Sequence, residues 1–285
     1  MPTVDAGGVS LHFEEKGSGS AVLLVHGIPT DYRAWSSQMV PFSTNHRAIA
    51  LSRRYAAPNV RKGDVLDSTV PNNAADLRGV IEKLGIGPVH LVGHSYGGFV
   101  AALLAADQPN LVKSLVLVEP AISTMLVADA SSRGQMLSLL FRSPSVALAA
   151  RRFQSSSLHP SFKALDVGNV EEAVELNVDG VQGLPGAFKG LSPETKKMMI
   201  ENGKTVGELR TPFPLFTANE AAMIRTRTLV INGESSPLWL RRIGELVGGA
   251  IPNARNVYVP AARHFPHMEN PDFFNGKVLD FLRTA

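Results

Sequence analysis

Residues 89–98 constrain this chain more than any other stretch. The run Val89-His90-Leu91-Val92 has the make-up of a buried strand and passes without a spacer into Gly93-His94-Ser95-Tyr96-Gly97-Gly98. Beyond it, Phe99 to Ala106 reads as a helix. A serine in the pattern Gly-x-Ser-x-Gly, with a strand before it and a helix after it, sits on a sharp, strained turn. The residues two before and two after must then be nearly free of side chain. Gly93 and Gly97 meet that need, and Gly98 lets the helix pack close to the strand. The helix N-terminus beneath the serine favours developing negative charge. Ser95 is therefore a candidate nucleophile. The bland alternative is a Gly-rich turn with an idle serine, and the flanking strand and helix argue against it.

The rest of the chain sets this turn in an α/β rhythm. Val9 to Glu14 alternates as a strand does, and Ala21 to Val25 is a continuous apolar run ending in His26-Gly27. Arg47 to Leu51 is a weaker strand, and Leu115 to Val118 is another buried one. Between them, Ala74, Leu77, Val80, Ile81 and Leu84 mark one helix face within residues 73–84. Strands alternating with helices imply a parallel sheet covered on both sides. The rhythm then pauses. From about 123 to 225 the pattern is helical in pieces (135–141, 145–153, 170–176 and 193–201), with no convincing strand. Strand runs return at Thr228 to Asn232 and Asn256 to Val259, each followed by a helix pattern. A sheet that pauses and resumes suggests an inserted helical lobe.

Composition narrows the function. The chain has 285 residues, 44% of them hydrophobic, enough for one large core or a core plus a lobe. With a net charge of +3 and only short basic pairs, at Arg53-Arg54, Arg151-Arg152 and Arg241-Arg242, no nucleic-acid partner is expected. The Arg53-Arg54 pair reads as solvated surface, with attraction of an anionic group to a site as its alternative. No cysteine is present, which excludes disulfides, thiolate metal sites and a Cys nucleophile. No His/Asp/Glu cluster has convincing ligand spacing, so neither a metal nor a cofactor is expected. Without a signal-like N-terminus or a long apolar run, the expected setting is cytoplasmic, with no membrane partner.

Two further segments belong with the turn. The loop His26-Gly27-Ile28-Pro29 follows an apolar run, as the turn does. Beside the turn, the backbone N–H groups of Ile28 and Tyr96 would form an oxyanion hole. Pro29 has no N–H to give, and His26 is expected to shape the loop. His264 follows the last strand run and precedes Met268-Glu269-Asn270-Pro271. A histidine on that loop can lie over the turn as general base. His267 in the same loop is the alternative, ahead of His12, His46, His90, His94 and His159.

Along nearly its whole length the chain resembles the α/β-hydrolase superfamily. The loop 26–29, the turn 93–98 and the segment His264-Phe-Pro-His-Met-Glu-Asn-Pro271 carry the resemblance. It implies an α/β fold with a mostly parallel, eight-stranded sheet and an inserted helical cap. The core would comprise residues 1–120 and 227–285, and the cap 121–226. It also implies a catalytic acid, and here the sequence departs from the pattern. The family usually places an Asp after strand seven in Gly-x-x-Asp; the corresponding stretch is Gly233-Glu234-Ser235-Ser236, so Ser236 holds the Asp position. A serine cannot steady an imidazolium as a carboxylate does. Some members carry the acid at the end of strand six, among them certain haloalkane dehalogenases and a fungal-toxin lactonase. Glu119 occupies that place, spaced from Ser95 as theirs is. A carboxylate ending an apolar strand is costly without a partner. The expected triad is Ser95, His264 and Glu119, with Glu234, or a salt bridge or cap-hinge contact for Glu119, as the alternatives.

The implied activity is hydrolysis of a carboxylic ester or lactone, with a medium-sized hydrophobic small molecule as partner. Relatives that open epoxides or remove halide attack with an Asp, and position 95 is Ser. Carbon–carbon bond hydrolases, acyltransferases and cofactor-free haloperoxidases share the triad, and fold does not separate them. A rival of another class is a non-catalytic ligand-binding receptor on this fold, for which the missing strand-seven Asp would speak.

Overall fold

The structure is a computed structural model that describes residues 2–59, 67–129 and 132–284. Its strands are β1 (Thr3–Ala6), β2 (Val9–Lys16), β3 (Ala21–Val25), β4 (Arg47–Leu51), β5 (Val89–His94), β6 (Val112–Val118), β7 (Thr228–Gly233) and β8 (Ala254–Val259). They form one eight-stranded sheet in the order β1-β2-β4-β3-β5-β6-β7-β8. β2 pairs antiparallel with β1 and β4, and every other pairing is parallel. This is the mostly parallel sheet expected from the strand rhythm. β1 was not foreseen. It is a four-residue edge strand with only Val4 and Ala6 buried, too short for its alternation to stand out.

Helices α1 (Ser36–Ser43), α2 (Val70–Leu84) and α3 (Tyr96–Asp107) alternate with the first strands. Between β6 and β7 lie α4 (Arg133–Arg142), α5 (Pro144–Phe153), α6 (His159–Asp166), α7 (Val170–Gln182), α8 (Pro193–Glu201) and α9 (Ala218–Met223). The chain closes with α10 (Leu238–Ala250), α11 (Pro266–Glu269) and α12 (Pro271–Arg283). The described residues between β6 and β7 contain no strand. Two residues of the 121–226 stretch, 130 and 131, lie outside the described residues.

The central strands bury both faces, and their period of two divides the core. In β3, Leu23 and Val25 join the cluster that contains α2, α3 and α10 side chains, while Val22 and Leu24 join Trp35, Phe42, Phe274 and Val278 on the other face. Local signals fix the helix ends. Thr69 caps α2 by accepting from Asn72 N–H, Pro71 sits in its first turn, and Gly85 ends it at φ 60°. α3 is apolar nearly all round because it is buried nearly all round. No described helix is long and apolar enough to cross a membrane.

Candidate active site

Ser95 stands where β5 gives way to α3, with φ 53° and ψ −116°. A non-glycine residue at positive φ is strained, by about 1–3 kcal/mol, and persists only where its surroundings hold it. Those surroundings are tight. A β-carbon at Gly93 would collide with the backbone of Gly97 and Gly98, and one at Gly97 with Val25 and His26 carbonyl groups. Gly27 lies against the turn, since a β-carbon there would meet Ser95 Cβ at 2.8 Å. That close approach sets Ile28 beside Ser95, and both line the same cavity. Tyr96 is the first residue of α3, so its N–H has no acceptor within the helix.

His264 leaves the loop after β8 and reaches the turn, with Nε2 3.0 Å from Ser95 Oγ. Its Nδ1 lies 3.3 Å from Glu119 Oε2. Glu119 follows β6 directly at φ 46° and is fully buried. Its other oxygen, Oε1, accepts from Gly233 N–H at 2.6 Å and from Ser236 Oγ at 2.9 Å. Sequence reasoning missed both donors. Ser236 occupies the place where an Asp was expected, and its hydroxyl instead supports the carboxylate on the neighbouring strand. Glu234, the alternative acid, points elsewhere and accepts from Ala261 N–H.

Burial dominates the electrostatics. It pushes the Glu119 carboxyl up to about 8, against the pull of Gly233 and Ser236. It pushes the His264 imidazole down to about 3. Burial thus favours the uncharged form of both groups, and a proton on the pair belongs to the pair rather than to either member.

His267 is not in this line. Its ring packs against Trp35 with centroids 4.4 Å apart, and neither ring nitrogen has a hydrogen-bond partner among the described residues. His94 lies between the two, 4.6 Å from His267 and 5.0 Å from His264, and donates from Nε2 to the His264 carbonyl. Gln182, at the end of α7, accepts from His264 N–H at 3.0 Å and donates to Glu269 at 2.7 Å. Glu269 in turn accepts from Arg263 N–H. The histidine loop is therefore pinned to α7, a contact between residues far apart in the sequence.

Arg53 corrects the reading of Arg53-Arg54 as solvated surface. Arg53 is 2% exposed. Its Nη1 lies 3.0 Å from Glu208 Oε2, Nε donates to the His26 carbonyl, and the guanidinium stands over the Tyr96 ring at 4.6 Å. Arg54 pairs with Asp76. The partner Glu208 comes from the segment between β6 and β7, a distance along the chain that pattern reading does not cross. His26 donates from Nδ1 to the Gly27 carbonyl and accepts Arg53 N–H at Nε2, which fixes the loop next to the turn.

A cavity of about 440 Å³ adjoins Ser95. Ile28, Ser95, Tyr96 and His264 line it, together with Leu139, Phe153, Val181 and Phe213 from between β6 and β7. A second hollow of about 590 Å³, bordered by Arg142 and Glu245, does not include Ser95. Among the described residues no group of three His, Asp or Glu side chains is placed to hold a metal ion.

A profile of the alpha/beta hydrolase family matches residues 22–277. The chain belongs to the alpha/beta hydrolase family. This alpha/beta hydrolase is 25% identical over 283 residues to a 2-(acetamidomethylene)succinate hydrolase of Mesorhizobium japonicum, covering 98% of this chain and 94% of that one. It is 32% identical to an epoxide hydrolase of Siraitia grosvenorii over 115 residues, 40% of this chain, and spans only 36% of that relative's length. In fold it is similar to an enol-lactonase from Burkholderia xenovorans, with TM-score 0.67 and 20% identity over 99% of this chain and 100% of the other. It is also similar to a carboxylesterase from Bacillus subtilis, with TM-score 0.72 and 18% identity over 99% and 91%.

Proposed function

We propose that this hydrolase cleaves a carboxylic ester or lactone through an acyl-enzyme on Ser95. The observation that carries the proposal is the unbroken line Ser95 Oγ, His264 Nε2, His264 Nδ1, Glu119 Oε2, buried and next to a mainly apolar cavity. Ser95 Oγ attacks the carbonyl carbon while His264 Nε2 takes its proton. The carbonyl oxygen becomes an oxyanion held by the N–H groups of Ile28 and Tyr96. The bond to the alkoxy oxygen breaks, and His264 returns the proton to that leaving oxygen. Water then adds to the acyl carbon, giving a proton to His264. The bond to Ser95 Oγ breaks, and the proton returns to Ser95. Glu119 keeps Nδ1 protonated and steadies the imidazolium while it exists. The 3.3 Å contact to Nδ1 is expected to shorten as that charge forms.

The segment 121–226 serves as the cap in this proposal, and its side chains supply the apolar wall of the cavity. Ester or lactone cleavage is preferred to epoxide opening because position 95 offers a hydroxyl and not a carboxylate. The test is a burst of p-nitrophenol with an activated aryl ester, alongside labelling by a fluorophosphonate. One label per chain, on Ser95, is expected. Labelling of another serine, or no burst and no label from folded protein, refutes the proposal.

A further inference from the structure

Asn177 on α7 borders the cavity and is 1% exposed. Its Nδ2 has no hydrogen-bond partner among the described residues. Buried amides are nearly always paired, so an unpaired one at a cavity wall points to a partner that arrives with a ligand. Two other polar side chains on this wall are already engaged, Thr124 donating to the Phe216 carbonyl and Thr211 to the Glu208 carbonyl, while Ser123 and Gln154 are not buried as Asn177 is. Val181, one turn along α7 from Asn177, lines the cavity as well. Gln182, at the end of the same helix, holds the His264 loop. The amide therefore stands on the element that fixes the histidine, about 7.5 Å along the helix axis from Gln182.

Charge around the cavity narrows what binds there. Among the described residues that line it there is no Lys or Arg, and the single carboxylate, Asp129, is exposed. Arg53 lies outside this lining, behind the Tyr96 ring, with Nη1 paired to Glu208 and only Nη2 without a hydrogen-bond partner among the described residues. A carboxylate brought into this cavity would meet no cation and would lose its hydration uncompensated. A neutral oxygen would meet the amide of Asn177.

We infer that Asn177 is a specificity-determining residue, and that the substrate is uncharged where it fills the cavity and presents a carbonyl, ether or hydroxyl oxygen to this amide. The inference rests on the ester or lactone reading above. Its content is the class of group recognised several bonds from the scissile carbonyl.

Four p-nitrophenyl esters of matched acyl length test it, with the chain ending in a methyl ketone, a hydrocarbon, a carboxylate or an ammonium group. The expected kcat/KM for the ketone exceeds that for the hydrocarbon by about tenfold or more, and that for the carboxylate by about a hundredfold. In Asn177→Leu the ketone-to-hydrocarbon ratio falls to about one. In Asn177→Asp the ammonium ester overtakes the ketone, a reversal that loss of packing alone does not produce. Calorimetric binding of the same esters to Ser95→Ala, with and without Asn177→Leu, reads recognition apart from chemistry. Asn177-dependent binding of the ketone without turnover by the parent supports this inference and sinks the hydrolase reading. Turnover by the parent with the four esters equal, a preference for the carboxylate, or ratios that a folded Asn177→Leu leaves unchanged overturns this inference and leaves the hydrolase reading standing. Absence of Asn177-dependent binding to Ser95→Ala overturns it too.

Discussion

Replacing Glu119 by Gln tests the most unusual part of the proposed site. The carboxylate now faces three donors: Gly233 N–H, Ser236 O–H and His264 Nδ1. Gln keeps the shape, and its carbonyl oxygen can still accept from Gly233 and Ser236. Its amide group must then face His264, where it is a donor. The imidazole responds by taking the tautomer with its proton on Nε2, and that nitrogen can no longer accept the proton of Ser95. The negative charge opposite the imidazolium is lost as well. Together these effects are expected to lower kcat by about 10²–10⁴, equivalent to roughly 3–5 kcal/mol of transition-state stabilisation. Ser236→Ala removes one donor to the carboxylate but leaves the charge and the tautomer. That bond exists both before and during the reaction, so only part of the roughly 1.5–3 kcal/mol of a charged hydrogen bond reaches the rate, and a fall of about three- to tenfold is expected. Glu234→Gln is expected to be mild. The assay is stopped-flow hydrolysis of an activated aryl ester, with circular dichroism to establish that each variant is folded. Near-parental turnover by Glu119→Gln, with a large loss in Glu234→Gln, would show that the acid had been placed on the wrong strand.

Ser95→Ala is expected to abolish ester turnover and fluorophosphonate labelling with the melting temperature kept; retained turnover in a clean preparation refutes the nucleophile. His264→Ala is expected to cost far more activity than His267→Ala, which removes packing against Trp35 and should appear as a lower melting temperature; the reverse ranking in kcat moves the base to His267. The pH profile of kcat/KM is expected to have one acid limb, because one proton on the His264–Glu119 pair blocks the base, so activity appears as pH rises through the pair's titration. Ser236 holds the Glu119 carboxyl down, so Ser236→Ala should move the limb to higher pH, while Glu119→Gln removes the raised carboxyl and should move it lower; shifts of the opposite sign contradict the assignment. Arg53→Met leaves Glu208 buried without its guanidinium, and a loss of about 3–5 kcal/mol, or roughly 6–20 °C in Tm, is expected. Removing the charge as well, in Arg53→Met with Glu208→Leu, should recover part of it, and an unchanged Tm in the single variant would show the pair to be immaterial.

Local pattern determined much of this protein. The strand run 89–92, the glycines around Ser95 and the helix after it are consecutive, and their sterics operate within a few residues, so the turn was legible without a fold. The apolar runs that became β3, β6 and β7 were legible for the same reason: strands buried on both faces must be apolar throughout. Glu119 was legible as an oddity, a carboxylate ending such a run. The short edge strand β1 was not, because four residues carry too little alternation. What holds the site together was decided only by the tertiary structure. Gly233 and Ser236 reach Glu119 across neighbouring strands, Gln182 reaches His264 from α7, and Glu208 reaches Arg53 and draws it inside. Asn177 reads in the sequence as one more polar residue on an amphipathic helix, and only packing shows its amide buried beside a cavity. Each of these pairings joins distant parts of the chain. Periodicity reports which face of an element is buried, but not which polar group on another element will meet it there, and hydrogen bonds and ion pairs are settled by that meeting.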